Sequence, residues 1–143
     1  MKLLRTWSSQ TTPCIATIGN FDGLHRGHQT VIQKVQDKAA SIGLASTVIS
    51  FEPLPAEYLR QPPPTRILPL RDKLIYLRTL QVKQFACLTF NQALAEMEPE
   101  DFIQEILLDG LQVRALVVGD DFRFGRERRG DYQMLQEIGA KQG

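Results

Sequence analysis

The chain has 143 residues, with 17 basic and 16 acidic side chains and a formal net charge of +1. This length predicts one domain with its own core. The near-neutral net charge predicts no long-range electrostatic attraction to nucleic acid or anionic lipid. The short polar N-terminus does not fit a secretory signal, and no apolar run approaches the roughly 18 residues of a membrane span. Cys14 and Cys87 lie in apolar runs, which favours buried free thiols, and we expect a soluble cytoplasmic protein without membrane or nucleic-acid partners.

Apolar runs and helical patterns alternate along the first half of the chain. Residues 14–18 have the pattern of a buried strand, and residues 46–51 form a β-branched strand pattern. Between them, apolar residues recur at i, i+4 and i+8 over residues 30–40, which predicts a helix. The proline-rich residues 53–64 predict a loop, because proline lacks a backbone donor.

The alternation continues in the second half. Leu70, Leu74 and Leu77 mark one face of a helix, and residues 84–90 read as a third strand. Pro99 fits the first position of another helix. The residues that we expect to face inward from that helix are Phe102, Ile103, Ile106 and Leu107.

A fourth strand is predicted over residues 115–119, and Asp131 could cap a short last helix. This order predicts an α/β fold, a Rossmann-like parallel sheet with helices on both faces. Ligands of such sheets bind beyond the carboxyl ends of the strands. The loops over residues 19–28, 51–65 and 119–130 each follow a predicted strand, so we expect them to converge on that edge.

The loop over residues 19–28 carries the most functional information, and it contains both histidines of the chain, His25 and His28. A strand, a glycine-rich turn and a helix start bring backbone N–H groups and the positive end of a helix dipole to one point, which suits a phosphate. Imidazoles there can donate to phosphate oxygens and stabilise charge as a bond breaks. Surface histidines and a metal pair are the alternatives, although zinc needs further ligands and neither cysteine adjoins them in sequence.

The segment Gly-Asn-Phe-Asp-Gly-Leu-His-Arg-Gly-His-Gln resembles the His-x-Gly-His nucleotidyltransferase superfamily. More narrowly, it is similar to the N-terminal adenylyltransferase module of bacterial FAD synthetases, the bifunctional riboflavin kinase/FMN adenylyltransferases. Residues 51–55, Phe-Glu-Pro-Leu-Pro, resemble that family's Phe-Glu-Pro-His-Pro loop. Residues 118–125, Val-Gly-Asp-Asp-Phe-Arg-Phe-Gly, resemble its flavin-side loop. The resemblance covers nearly the whole chain and implies a nucleotidyltransferase fold.

The resemblance also implies a reaction, the transfer of AMP from ATP to FMN to give FAD and pyrophosphate. Mg²⁺ would arrive with ATP, without a metal site of the protein's own, and His25 and His28 would be the catalytic residues at the ATP phosphates. The implied nucleotide-binding residues are Gly19, Asn20, Phe21, Asp22, Gly23 and Gly27. The implied flavin-binding residues are Pro53, Pro55, Tyr58, Asp121, Phe122 and Arg123.

Several of these residues have a second interpretation. Pro53 and Pro55 could simply end the preceding strand. Phe122 and Phe124 could be core anchors, since alternating aromatic residues also suit an extended segment. The chain also has a basic cluster, which consists of Arg123, Arg126, Arg128 and Arg129. The default interpretation of this cluster is a solvated face, and the more specific alternative is a contact with a phosphate or a nucleic acid.

Two departures from the family pattern bear on function. Leu54 stands where the family often has histidine. The family's Ser-Ser-Thr-x-Ile-Arg type motif and its riboflavin kinase domain do not occur within residues 1–143, so we expect an adenylyltransferase domain that is C-terminally incomplete. Three alternatives stay open: another His-x-Gly-His nucleotidyltransferase, a nucleotide- or flavin-binding module without turnover, and a nucleic-acid-binding domain.

Overall fold

Five strands form one parallel sheet in the computed structural model, which describes residues 1–6, 12–21, 26–52, 55–59, 69–119 and 122–142. The strand order across the sheet is β1-β4-β3-β2-β5, and each neighbouring pair is parallel. The strands are β1 (Lys2–Leu4), β2 (Cys14–Ile18), β3 (Ala45–Glu52), β4 (Gln84–Thr89) and β5 (Val113–Val117).

The helices alternate with these strands. A three-residue α-helical turn over Pro99–Asp101 runs directly into a π-helix over Phe102–Gly110. A short 3₁₀ turn lies at Arg126–Arg128. Asp131 caps the last helix, because its Oδ1 accepts a hydrogen bond from the Met134 N–H at 2.9 Å, as the sequence predicted. The α-helices are α1 (Arg26–Ile42), α2 (Pro55–Leu59), α3 (Leu70–Thr79), α4 (Gln92–Ala95), α5 (Pro99–Asp101) and α6 (Tyr132–Gln142).

Helices cover both faces of the sheet, which confirms the predicted α/β class. Successive strand residues point to opposite faces. On one face, Ile15 of β2 packs with Val35 and Ala39 of α1. On the other face, Ala16 lies in the same apolar cluster as Ile106 of the π-helix. All four residues predicted to face inward from the helix after Pro99 are buried: Phe102, Ile103, Ile106 and Leu107.

The topology brings two of the predicted loops to one crevice. From β2 the chain adds β3 and β4 on one side and then crosses back to place β5 on the other side of β2. The strand order therefore reverses between β2 and β5. In open parallel sheets the ligand crevice lies outside the carboxyl ends of the strands at such a point. The loops that leave β2 and β5 begin there, and the loop that leaves β3 begins at the same edge.

The structure also corrects the sequence prediction in several places. The strand β1 was not predicted, although it pairs with β4 at the edge of the sheet. The fourth predicted strand lies two residues earlier, at Val113–Val117. The predicted loop after β3 contains the short helix Pro55–Leu59, because proline is well suited to the first position of a helix. The helix predicted after Pro99 is π-helical over Phe102–Gly110, a detail that the sequence did not predict, and the short helix Gln92–Ala95 had no sequence prediction.

Both cysteines are free and buried, as predicted. Burial raises the pKa of the Cys14 thiol, although a hydrogen bond with Thr47 and the charge of Arg114 act in the opposite direction. Cys14 is therefore an unreactive thiol, since the thiolate is the nucleophile. Among the described residues, no helix has the length and apolar character needed to cross a membrane.

Candidate functional site

The loop between β2 and α1 leaves the sheet from a central, fully buried strand. The Gly19 N–H donates to the Ile49 carbonyl at 3.1 Å and so extends the pairing with β3 beyond the end of β2. The helix α1 begins at Arg26, and its first turn contains His28 and no acidic residue. No carboxylate in the first turn of α1 therefore neutralises the positive end of the helix dipole. This end of the helix favours the binding of an anion.

Phe21 anchors the described start of this loop, residues 19–21. Its φ of 50° lies in the left-handed region, which bulky residues rarely adopt, and its side chain is only 4 % exposed. Its ring meets the His28 ring edge-on, with 5.1 Å between the ring centroids. A Cβ at Gly19 would lie 3.3 Å from the Phe21 ring, so a larger residue there would push the ring by a few tenths of an ångström. Phe21 thus packs against the loop backbone and buttresses His28.

Two donors from neighbouring elements converge on the Asn20 carbonyl. The Lys73 Nζ on α3 donates to this oxygen at 2.7 Å. The Ser50 Oγ near the end of β3 donates to the same oxygen at 3.2 Å. Lys73 is 1 % exposed, which is rare for a lysine because the burial of an ammonium group is costly. The backbone at Asn20, at the start of the candidate nucleotide loop, is therefore fixed from two sides.

Neither Lys73 nor Ser50 was singled out from the sequence, although a signal for Lys73 exists. Leu70, Lys73, Leu74 and Leu77 stand at i, i+3, i+4 and i+7, so the lysine lies within an apolar helix face. A lysine inside such a stripe predicts a buried cation that needs a polar partner. The sequence contains no comparable sign that this partner is the Asn20 carbonyl.

Aromatic side chains gather where β3 and β4 end. The Tyr58 ring on α2 meets the Phe90 ring edge-on, with 5.6 Å between centroids. Phe90 in turn contacts the Phe51 ring at 5.8 Å. Tyr58 keeps 41 % of its surface exposed at this edge of the sheet. Pro55, the first residue of α2, is half-buried.

The segment after β5 is organised by stacked rings. Phe122 stacks on Phe124 with 5.6 Å between centroids and 16° between planes, and Phe124 contacts Phe102 at 5.4 Å. Phe124 is buried and belongs to the main core, whereas Phe122 is half-buried. Phe124 also exchanges backbone hydrogen bonds with Gly130, whose missing Cβ would lie 2.5 Å from the Phe124 ring. Phe124 is therefore a core anchor, and Phe122 presents one face outward from it.

Carboxylates of the same chain pair with three of the four clustered arginines. Arg123 lies 3.3 Å from Asp131. The Arg129 guanidinium lies 3.4 Å from one Glu98 oxygen, and the Arg126 guanidinium lies 3.9 Å from the other. These side chains are about half exposed, which fits the default interpretation of a solvated, ion-paired face.

The described residues bring together Gly19, Asn20, Phe21 and His28, with Gly27 beside His28 in the first turn of α1. Separate contacts hold Tyr58 after β3, on one side of β2, and Phe122 and Arg123 after β5, on the other side of β2. Within the ranges that the structure describes, no group of three or more potential metal ligands occurs. The candidate residues that lie outside the described part of the chain are Asp22, Gly23, His25, Pro53 and Asp121.

Comparisons with known proteins identify the family. The model of the FAD synthetase family matches residues 7–143. A bifunctional riboflavin kinase/FMN adenylyltransferase from Pseudomonas fluorescens is 42 % identical over 130 residues, which are 91 % of this chain and 42 % of the relative. The protein of the same name from Escherichia coli K12 is 41 % identical over 131 residues, again 91 % of this chain and 42 % of the relative. The chain thus spans less than half the length of these relatives.

A solved structure shows the same fold. The crystal structure of a macrolide-efflux protein from Streptococcus pneumoniae superposes with a TM-score of 0.80 over 96 % of this chain and 48 % of that chain. The sequence identity is 20 %, so this likeness concerns the fold alone.

Proposed function

Because the chain belongs to the FAD synthetase family, we propose that it is an FMN adenylyltransferase module, which transfers AMP from ATP to FMN. A phosphate oxygen of FMN attacks the α-phosphorus of ATP, the bond to the β-phosphate oxygen breaks, and pyrophosphate leaves. ATP enters as its magnesium complex. The reaction needs no covalent intermediate on the protein, so positioning and charge neutralisation supply the rate.

The observation that carries this proposal is the loop between β2 and α1. Its helix start lacks an acidic residue, and Phe21 holds the His28 ring at that helix start. This combination supports a site for the phosphates of ATP, with His28 stabilising the charge that develops as pyrophosphate departs. We assign His25 the same role from its place in the motif. The proposed nucleotide contacts are Gly19, Asn20, Phe21, Asp22, Gly23 and Gly27.

FMN would occupy the same edge of the sheet. Its isoalloxazine is a large flat ring, and the half-exposed rings of Tyr58 and Phe122 support stacking of such a ring. Arg123 lies beside Phe122 and carries the charge that suits a phosphate. The proposed flavin contacts are Pro53, Pro55, Tyr58, Asp121, Phe122 and Arg123.

The names of the relatives indicate which other domain accompanies this one. They are named for a riboflavin kinase activity as well, so we propose that these 143 residues act beside such a domain in one longer chain. The cytoplasm is the proposed location, and the two buried free thiols support a reducing compartment.

The test is FAD formation from ATP, Mg²⁺ and FMN by the chain at its full natural length, followed by chromatography of the flavins and a pyrophosphate assay. Nicotinamide mononucleotide and phosphopantetheine serve as competing acceptors under the same conditions. We expect stoichiometric FAD and pyrophosphate with FMN and no product with the other two.

Two outcomes would overturn the proposal. Product with another acceptor and none with FMN would assign the chain to a different nucleotidyltransferase activity. Tight FAD binding without any turnover would make it a binding module.

A further inference from the structure

Lys73 is a buried cation that the proposed chemistry does not use. It is 1 % exposed and sits on α3 between leucines that pack into the core. An ammonium group pays a large desolvation cost at such a place unless a polar group compensates for it. Lys73 donates to the Asn20 carbonyl at 2.7 Å, a shorter distance than the 3.2 Å of the bond from Ser50.

The contact between Lys73 and the Asn20 carbonyl also sets the direction of the next N–H group, that of Phe21. A carbonyl oxygen has two lone pairs, so Lys73 and Ser50 can bind the Asn20 oxygen together. In a trans peptide the C=O and the following N–H point in opposite directions. Because the Asn20 oxygen is drawn toward α3 and β3, the Phe21 N–H is turned away from them. The backbone of Phe21 itself has a left-handed φ of 50°.

We propose that Lys73 is a positioning residue of the nucleotide site, which, with Ser50, fixes the peptide between Asn20 and Phe21 so that the Phe21 N–H faces the phosphates of ATP. This inference rests on the proposed function, since it assumes that the loop between β2 and α1 binds ATP. Lys73 touches neither substrate in this role. It acts through the loop backbone, so its loss should weaken nucleotide binding selectively.

The test compares binding of two ligands to the chain at its full natural length. Calorimetry with α,β-methylene-ATP, in which the scissile bond is blocked, reports the nucleotide site without turnover. Titration with FMN reports the flavin site. In Lys73→Met we expect the Kd for the ATP analogue to rise about tenfold or more, because an N–H that no longer faces the phosphates loses a hydrogen bond to a charged group. The Kd for FMN should stay within about twofold of the wild-type value.

Three further variants separate positioning from simple destabilisation. Leu77→Ala, on the same helix face one turn later, removes fully buried atoms and should lower stability without changing the ratio of the two Kd values. Lys73→Arg restores a cation with donors and should recover part of the analogue affinity. Ser50→Ala removes the other donor to the same oxygen and should shift the analogue Kd in the same direction but less; it also tests the proposal if Lys73→Met does not fold.

The outcomes are distinguishable from failure of the proposed function. Equal weakening of both ligands in Lys73→Met, or no change in either Lys73→Met or Ser50→Ala, would overturn the positioning role. Absence of analogue binding to the wild-type chain would overturn it as well. Selective loss of analogue binding in a chain that makes no FAD would support the positioning role and contradict the adenylyltransferase proposal.

Discussion

The two loops at the crevice, which follow β2 and β5, are stabilised by different kinds of interaction. The start of the loop after β2 is held by partly buried polar contacts, with Lys73 and Ser50 both donating to the Asn20 carbonyl. The segment after β5 is held by stacked rings centred on Phe124 and by exposed ion pairs. Both begin at the same edge of the sheet, so position in the fold does not explain the difference.

The proposed ligands offer an explanation. A triphosphate carries concentrated charge and requires N–H groups in fixed directions, which only a rigid backbone supplies. A flavin ring presents a broad apolar face, for which aromatic packing is sufficient. Hydrogen bonds to charged groups typically contribute about 1.5–3 kcal/mol, whereas exposed ion pairs contribute about 0–1 kcal/mol. The stabilisation from the contacts at Asn20 should therefore change little with salt concentration. The stabilisation from the exposed ion pairs around the second loop should weaken as the salt concentration rises.

The largest expected effect lies in the ring stack of the second segment. Phe124→Ala removes a buried ring and should lower the free energy of unfolding by about 3–5 kcal/mol, measured by urea denaturation. Phe122→Ala is the matched control, because the Phe122 ring is half-buried and should cost clearly less. Equal losses would mean that both rings are core anchors and that Phe122 is not available to a flavin.

The next effect is catalytic and belongs to the first loop. His28→Ala should lower kcat for FAD formation by about 100- to 1000-fold, because loss of one donor to a developing charge costs about 2.7–4 kcal/mol. Gln29→Ala is the control; Gln29 is the next residue of the same turn, and its side chain donates to the Tyr76 hydroxyl at 2.9 Å. Its kcat should stay close to the wild-type value. A folded His28→Ala chain with near-normal kcat would remove His28 from the catalytic assignment.

The smallest expected effect concerns the surface ion pairs. Glu98→Gln weakens the pairs with Arg126 and Arg129 and should lower the free energy of unfolding by less than about 1 kcal/mol. The loss should shrink further in high salt, because exposed charges are screened. Glu100→Gln, at an exposed carboxylate two residues later, is the control. A large, salt-independent loss at Glu98 would contradict the comparison between the two loops.

Much of the fold was predictable because it follows from local periodicity. The β2 strand and the buried residues of the π-helix were visible as apolar patterns, and Asp131 was recognisable as a helix cap. The strand β1 was not, because its three residues form a strand only by pairing with β4. The boundaries of β5 were misplaced by two residues, since hydropathy alone does not fix where pairing begins.

The sequence by itself determined the family and the candidate site, because the motif around His28 is contiguous and its order along the chain is the signal. The tertiary structure decided how that loop is held. Lys73 is 53 residues from Asn20 in sequence, and Ser50 is 30 residues away. Only the parallel order of β2 and β3 and the packing of α3 bring these donors to one oxygen. A local pattern can predict that a lysine is buried, but its partner depends on contacts between distant segments.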